Sequence, residues 1–363
     1  MKTKQEELFI SSPVNVSDKV KKDVFNAPDI GHREPEFQEL FKEIRKKLLK
    51  YFKANSDYSI MVINGSGTAA MEVVVSSVID NKKVPLFISN GQFGERFVEI
   101  RKVHGGKHWI NLRNSWGKPI EINCVEEILK NDALIDTIFL TYHETSSGII
   151  NPVTQIGKLA KKYNKLFIVD CISAIGAENV NVVKQNIDFA IGSSSKAIGG
   201  MTVLGFVCAK KSAINKIKKY KSKTFYLDLI KHYNYAEERN QTPFTPAIPL
   251  FVSLNSALDE DLKKKKNKYQ KNSRYLRDGL KRLGLKIVIP AKHRSNIVTY
   301  VYLPKGIKYK ELYSKLKKKG FLIYEAKGRF KDRAFHVANA GTISKKTIKK
   351  FLSELEWIST RRF

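Results

Sequence analysis

Lys196 is the residue with the most chemistry to offer in this 363-residue chain. It follows Ile187-Asp188-Phe189-Ala190-Ile191, an apolar run that predicts a buried strand, and precedes a Gly199-Gly200 turn. An ammonium just past a buried strand needs a partner or a task. Small neighbours, Ser193-Ser194-Ser195, leave room for a ring, so a Schiff base with a carbonyl cofactor fits. A surface lysine at a strand end fits the same letters. Three other stretches bear on the choice. Asn64-Gly65-Ser66-Gly67-Thr68 joins an apolar strand-like run to a helical one. That is phosphate-binding geometry: glycines admit the anion to backbone amides at the positive end of a helix. Its spacing is neither a dinucleotide fingerprint nor a P-loop, and an ordinary strand-to-helix turn remains open. Phe93 sits in a polar turn, Asn90-Gly91-Gln92-Phe93-Gly94, either as a stacking platform or as a core ring. Asp170 ends Leu166-Phe167-Ile168-Val169-Asp170, where an unpaired carboxylate is costly. A cationic heterocycle, a helix cap or a structural ion pair would each remove that cost.

Pyridoxal 5'-phosphate (PLP) accounts for all four stretches at once. It needs a lysine, a carboxylate that keeps its pyridine nitrogen protonated so the ring acts as an electron sink, a phosphate cup and a stacked ring.

The elements that must position these residues alternate. Strands are predicted at 58–63, 84–89, 136–141, 166–170, 189–191 and 203–208. Helices fall between them, one running through Phe41, Ile44 and Leu48 to Phe52, another over 156–163. The fold class is α/β, a mostly parallel central sheet in a large domain with polar residues clustered past the strand ends. From 213 to 262 the pattern is helical or irregular, and one long helix is expected over 250–283. Strands at 285–289, 297–303, 321–324 and 334–337, with helices at 308–319 and 344–358, make a smaller α+β C-terminal domain. The boundaries read 1–28 for an N-terminal segment, 29–260 for the large domain and 261–363 for the small one.

The net charge is +31, from 66 Lys+Arg against 35 Asp+Glu. The excess is mostly lysine and is spread along the whole chain, densest at 262–271, as on a solvated helix face. No nucleic-acid motif accompanies it, so no nucleic-acid partner is expected, though the field draws in anionic small molecules. Three scattered cysteines, Cys124, Cys171 and Cys208, make neither a disulfide framework nor a zinc site, and a reducing cytoplasm fits them. Met1 to Glu7 lead into no long apolar run, so no signal peptide is expected. No apolar stretch approaches the ~18 residues of a membrane span.

With these motifs in order, the sequence resembles the class V aminotransferases of PLP fold type I from about residue 29 to 356. It is most similar to their 2-aminoethylphosphonate–pyruvate branch, with the alanine–glyoxylate and serine–pyruvate branches next. The specific stretches are 64–68, 90–94, His143-Glu144-Thr145-Ser146-Ser147-Gly148-Ile149-Ile150-Asn151-Pro152, 168–170 and 193–196. The resemblance implies that Lys196 forms the Schiff base and then moves a proton between Cα and C4′. Asp170 would hold the pyridine nitrogen, Ser66, Gly67 and Thr68 the phosphate, and Phe93 the ring face. Thr145 would lie near the phenolic oxygen, and Ser195 would be a phosphate ligand. Thr245 resembles a threonine that reaches the phosphate of the neighbouring subunit, which implies a homodimer with shared active sites; a loop threonine between prolines is the alternative.

Two departures stand out. Ser11-Ser12-Pro13-Val14 lacks the glycine of the family's N-terminal Thr-Pro-Gly-Pro loop. The family's strand with a substrate-gripping arginine reads Phe335-His336-Val337-Ala338 here, with His336 at the arginine position. Histidine cannot make the bidentate fork. Arg33, Lys327, Arg329 and Arg333 are the candidate replacement cations. The expected reaction moves an amino group between a small phosphonate-bearing amine and an oxo acid such as pyruvate, by a ping-pong route. The alternative is another substrate or chemistry on the same cofactor: an alanine- or serine–glyoxylate-type transaminase, a lyase or a decarboxylase.

Overall fold

The structure, a computed structural model, describes residues 6–80 and 82–360; Met1 to Gln5, on which the leader-peptide reading partly rests, lie outside them. Seven strands form the central sheet in the order Tyr58–Asn64, Leu204–Lys210, Phe189–Ser193, Leu166–Asp170, Ile135–Thr141, Val84–Ser89, Ile110–Arg113. All are parallel except Leu204–Lys210, which runs antiparallel to both neighbours. The central strands read as continuous apolar runs because helices cover both faces. The helix Gly67–Val78 is apolar on nearly every side for the same reason: Val73, Val74, Val75 and Val78 are all buried. Parallel register brings the polar strand ends to one edge. Thr141 lies opposite Asp170, and Asp170 opposite Ile191. Asp170 and the loop carrying Lys196 therefore leave the sheet side by side.

The C-terminal part has a three-stranded antiparallel sheet, Val298–Tyr302, Ala334–Ala338, Tyr324–Glu325, covered by the helices Leu262–Arg282, Tyr309–Lys318 and Lys345–Thr360. Leu276, Leu280, Leu312, Leu316, Phe335 and Phe351 fill its core. The N-terminal segment joins this part: Glu7–Leu8 pairs with Phe321–Leu322, and the Phe9 ring stacks on Phe351 at 4.5 Å. Two hydrogen bonds pin the chain just past Lys196. Tyr269 Oη donates to the Ala197 carbonyl at 2.9 Å, and Lys265 Nζ to that of Ile198 at 2.7 Å.

The expected helix over 250–283 is two helices, Ile248–Leu258 and Leu262–Arg282. Asp261 breaks it by accepting the Lys264 amide at 2.7 Å, an N-cap that restarts the helix. Residues 285–289 form no strand, only an isolated bridge between Ile287 and Val301. The stretch 321–324 divides between two sheets. The helices Asp18–Phe25 and Ile122–Asn131 and the edge strand Ile110–Arg113 are elements that the hydrophobic pattern did not reveal. Among the described residues no helix is long and apolar enough to cross a membrane, and all three cysteines are free.

Candidate active site

A cavity of about 180 Å³ opens where the strand ends converge. The turn after Tyr58–Asn64 supplies Ser66, Gly67 and Thr68; the helix Gln92–Val103 supplies Phe93 and Arg96. Asp170, Ile172 and Ser173 come from the end of one strand, Ser195 and Lys196 from the loop after the next. His143 and, from the N-terminal segment, Ser12 complete the wall.

The phosphate-type turn keeps its donors available. Ser66 is the non-helical N-cap residue, yet its side chain makes no capping hydrogen bond. Gly65 has φ +151, and a Cβ on Gly67 would lie 2.6 Å from Ile172 Cδ1, so a side chain at Gly67 would crowd the wall. Arg96 donates to Thr68 Oγ1 at 3.0 Å and lies 4.7 Å from the Phe93 ring centroid. Phe93 owes its position to Glu144. That carboxylate is fully buried; Oε2 accepts the amides of Phe93 at 3.0 Å and Gly94 at 2.9 Å. Oε1 accepts the Ser146 hydroxyl at 2.6 Å, and the Ser146 oxygen accepts the Gln92 amide at 2.8 Å. One acid and one hydroxyl thus cap the first three amides of the helix. Gly91 is required beside them: a Cβ there would sit 2.3 Å from Glu144 Cγ.

Burial sets the electrostatics. Asp170 is 4% exposed, and desolvation pushes its carboxyl up to about 6. The Ile172 amide at 2.8 Å, Arg96 and Lys196 pull the other way. Burial brings Lys196 down to about 8; Asp170 opposes this, while Arg96 and Lys327 add to it. An amine so lowered is partly neutral near pH 7, as a nucleophile must be. Burial also drives Glu144 up to about 7 and His143 down to about 3. His143 is therefore neutral, and its Nδ1 lies 3.2 Å from the Ser173 carbonyl, which assigns the proton to Nδ1. Its Nε2 is buried with no protein partner. The set matches a flat cationic ring bearing a phosphate: a carboxylate, an amine, an aromatic face, a helix N-terminus with an unused hydroxyl, and an orphaned acceptor.

Of the residues expected from sequence, the cavity unites Lys196, Asp170, Ser66, Gly67, Thr68, Phe93 and Ser195. Thr145 is buried one residue beyond Glu144, outside the lining, with its carbonyl accepting Tyr300 Oη at 2.9 Å. Thr245 is exposed and outside its own chain's cavity; its carbonyl accepts Asn64 Nδ2 at 3.0 Å. His336 is buried in the small-domain sheet between Tyr300, stacked at 5.4 Å, and Tyr324, edge-on at 5.7 Å. Neither ring nitrogen has a protein partner. Burial holds this imidazole down to about 3, with Lys196 and Lys327 assisting.

Arg33 lies elsewhere. Its guanidinium donates to Gln241 Oε1 at 3.0 Å and to the carbonyls of Thr242 at 2.7 Å and Pro243 at 3.1 Å. Arg333 is exposed at the start of the His336 strand, and Arg329 packs on Phe330 at 4.7 Å. Lys327 alone of the four candidate cations acts electrostatically on both Lys196 and His336.

Sequence reasoning passed over Arg96, His143 and Glu144 as site residues. Arg96 carries a signal, since it falls three residues after Phe93 on the same helical face. His143 and Glu144 are polar residues just beyond a buried strand, the place where such sheets hold ligands.

Comparison with known proteins identifies the family. Residues 15–328 match the family described as aminotransferase class-V. An uncharacterized aminotransferase of Methanocaldococcus jannaschii is 36% identical over 79% of this chain and 76% of its own length. A 2-aminoethylphosphonate–pyruvate transaminase of Bacillus mycoides is 30% identical over 88% and 89%. An alanine–glyoxylate aminotransferase from Nostoc sp., 23% identical, superposes with a TM-score of 0.92 over 99% of this chain and 96% of that one. A cavity with this donor set, in a chain so matched end to end, makes the protein a class V aminotransferase, a PLP-dependent enzyme of fold type I.

Proposed function

We propose that this aminotransferase acts on a small amine carrying a phosphonate or similar anion, with pyruvate or another oxo acid as the second substrate. The observation that carries the substrate reading is the likeness over 88% of the chain to a protein named for 2-aminoethylphosphonate and pyruvate. The chain's lysine-rich surface favours anionic substrates.

Bound PLP supplies the electron sink that makes the substrate's C–H bond acidic. The protein's residues do the rest. Asp170 would give the ring nitrogen a buried anion, and the ring's positive charge would offset the burial that raises Asp170. Ser66, Gly67 and Thr68 bind the phosphate at the helix N-terminus. Phe93 would cover the ring face, on a helix whose first amides Glu144 accepts. Lys196 Nζ holds the cofactor between turnovers and, when displaced, carries the proton from one carbon to the next. A homodimer fits the position of Thr245, exposed and away from its own cavity, and the apolar surface beside it. Phe225 is 77% exposed and packs with Tyr226 against Phe244.

His336 favours a second reading. A neutral histidine at the position that the resemblance assigns to an arginine suits a differently held anion, or another substrate or chemistry on the same cofactor: an alanine- or serine–glyoxylate-type transamination, a lyase or a decarboxylase reaction. Treating the PLP-loaded protein with 2-aminoethylphosphonate separates the two. Loss of the visible absorbance, restored by pyruvate, is the expected result. Bleaching by other amines but not by the phosphonate would overturn the substrate and leave the class standing.

A further inference from the structure

The position that the resemblance assigns to an arginine is filled by a residue that carries no charge. His336 is neutral, wedged between two tyrosine rings, and both its nitrogens lack a protein partner. An anionic substrate end needs a cation from somewhere else, because burying an anion beside a neutral ring is costly.

Lys327 is held on the helix that carries Phe93. Its Nζ donates to Gln92 Oε1 at 2.9 Å, crossing from the small domain to the residue immediately before Phe93. The next residue, Gly328, packs on Trp116 so closely that a Cβ would lie 2.3 Å from the indole. Trp116 Nε1 in turn donates to Glu95 Oε1 at 3.1 Å, on the first turn of the helix that carries Phe93 and Arg96. The loop is thus docked on the cavity's own helix. The positive charge of Lys327 is among those that lower both Lys196 and His336, whereas Arg33 and Arg329 are engaged elsewhere.

We propose that Lys327 is the specificity-determining residue that binds the substrate's anionic end, exchanging the neutral Gln92 amide for an oxyanion. This rests on the reading of the chain as an aminotransferase of anionic amines. The exchange is favourable because a hydrogen bond to a charged partner is stronger than one to an amide. It also names the anion's shape. A guanidinium matches a planar carboxylate with two parallel N–H bonds; an ammonium is a point charge with three rotatable donors and no such preference. A neutral imidazole beside it offers one donor and one acceptor. Together they suit a tetrahedral oxyanion, which presents three oxygens and, when singly protonated, one O–H to the bare ring nitrogen.

Calorimetric titration of methylphosphonate and acetate into the PLP-loaded enzyme tests this, since the cofactor's own phosphate then occupies the cup at Ser66–Thr68. Wild-type protein should bind methylphosphonate more tightly than acetate. Lys327→Met should weaken methylphosphonate about tenfold, Lys327→Arg should retain it while gaining acetate, and Gln92→Ala should leave it unchanged or tighter. Lys327 is exposed, so these variants keep the fold. Equal methylphosphonate binding by wild type and Lys327→Met, or no anion binding by wild type, overturns the proposal. Binding through Lys327 without bleaching by 2-aminoethylphosphonate would refute that substrate and leave the role of Lys327 intact.

Discussion

The two sides of the cavity are built differently. On the large-domain side the polar groups are mostly answered by the protein itself. Glu144 takes two helix amides and a hydroxyl, Asp170 takes an amide opposite Lys196 and Arg96, and Phe93 is locked by the cap beneath it. On the small-domain side, beyond the residues that line the cavity, His336 is buried with both nitrogens unanswered, and Lys327 leans on a neutral amide. Preorganisation is concentrated where the chemistry is constant, on groups fixed by neighbouring shells. The small-domain side keeps the unanswered groups that, under our proposal, the substrate completes.

The strongest way to break this contrast is Lys196→Ala. Loss of both the attacking amine and the proton carrier should cut turnover roughly 10⁴-fold, with loss of the visible absorbance of the loaded protein. Turnover close to wild type would show that the large-domain side is not the chemical centre. Glu144→Gln comes next. It turns an acceptor of two helix amides into a group that presents its own N–H₂ to one side, so stability should fall by about 1–3 kcal/mol. Cofactor affinity should fall with it, read by thermal unfolding and by PLP titration. Unchanged cofactor affinity would separate the cap from the site.

His336→Phe sharpens the other side and should have the smallest effect near neutral pH. Burial lowers this imidazole from 6.5 to about 3, so between those values the unfolded chain binds a proton that the folded one refuses. That contribution is present above the unfolded pKa and is lost as pH falls toward 3. Phenylalanine removes it. Chemical denaturation should therefore find the variant gaining on wild type as pH drops from 7 to 4. A large loss of stability at pH 7 would mean that the ring makes a bond the contrast denies.

Lys196, Asp170, Phe93 and the Ser66–Thr68 turn were legible because each lies within one strand–turn unit, where an apolar run followed by small or polar residues fixes both the element and the direction in which the next side chain leaves it. The same logic failed at 250–283. Helical periodicity continues through Asp259-Glu260-Asp261, and only the Asp261 side chain turning back onto the Lys264 amide shows the break. It failed at 285–289 because pairing with the strand Val298–Tyr302 stops at a single bridge, Ile287 with Val301, which is too short to make a strand. Glu144 and His143 stood within a quoted motif, but their tasks depend on a helix some fifty residues earlier in the chain and a carbonyl thirty residues later.

The amino-acid sequence by itself determined the cofactor chemistry, since the lysine, the acid and the phosphate turn are each carried by a few consecutive residues. Only the tertiary structure separated the four cations from which we propose the substrate's partner. Arg33, Lys327, Arg329 and Arg333 are equivalent on paper, long charged side chains on loops. Docking of the loop at Gly328 against Trp116 leaves Lys327 on Gln92, the residue before Phe93, while Arg33 is bonded to Gln241, Thr242 and Pro243. A flexible charged side chain reaches in any direction, so its target is set by how two domains pack and by nothing in its immediate neighbours.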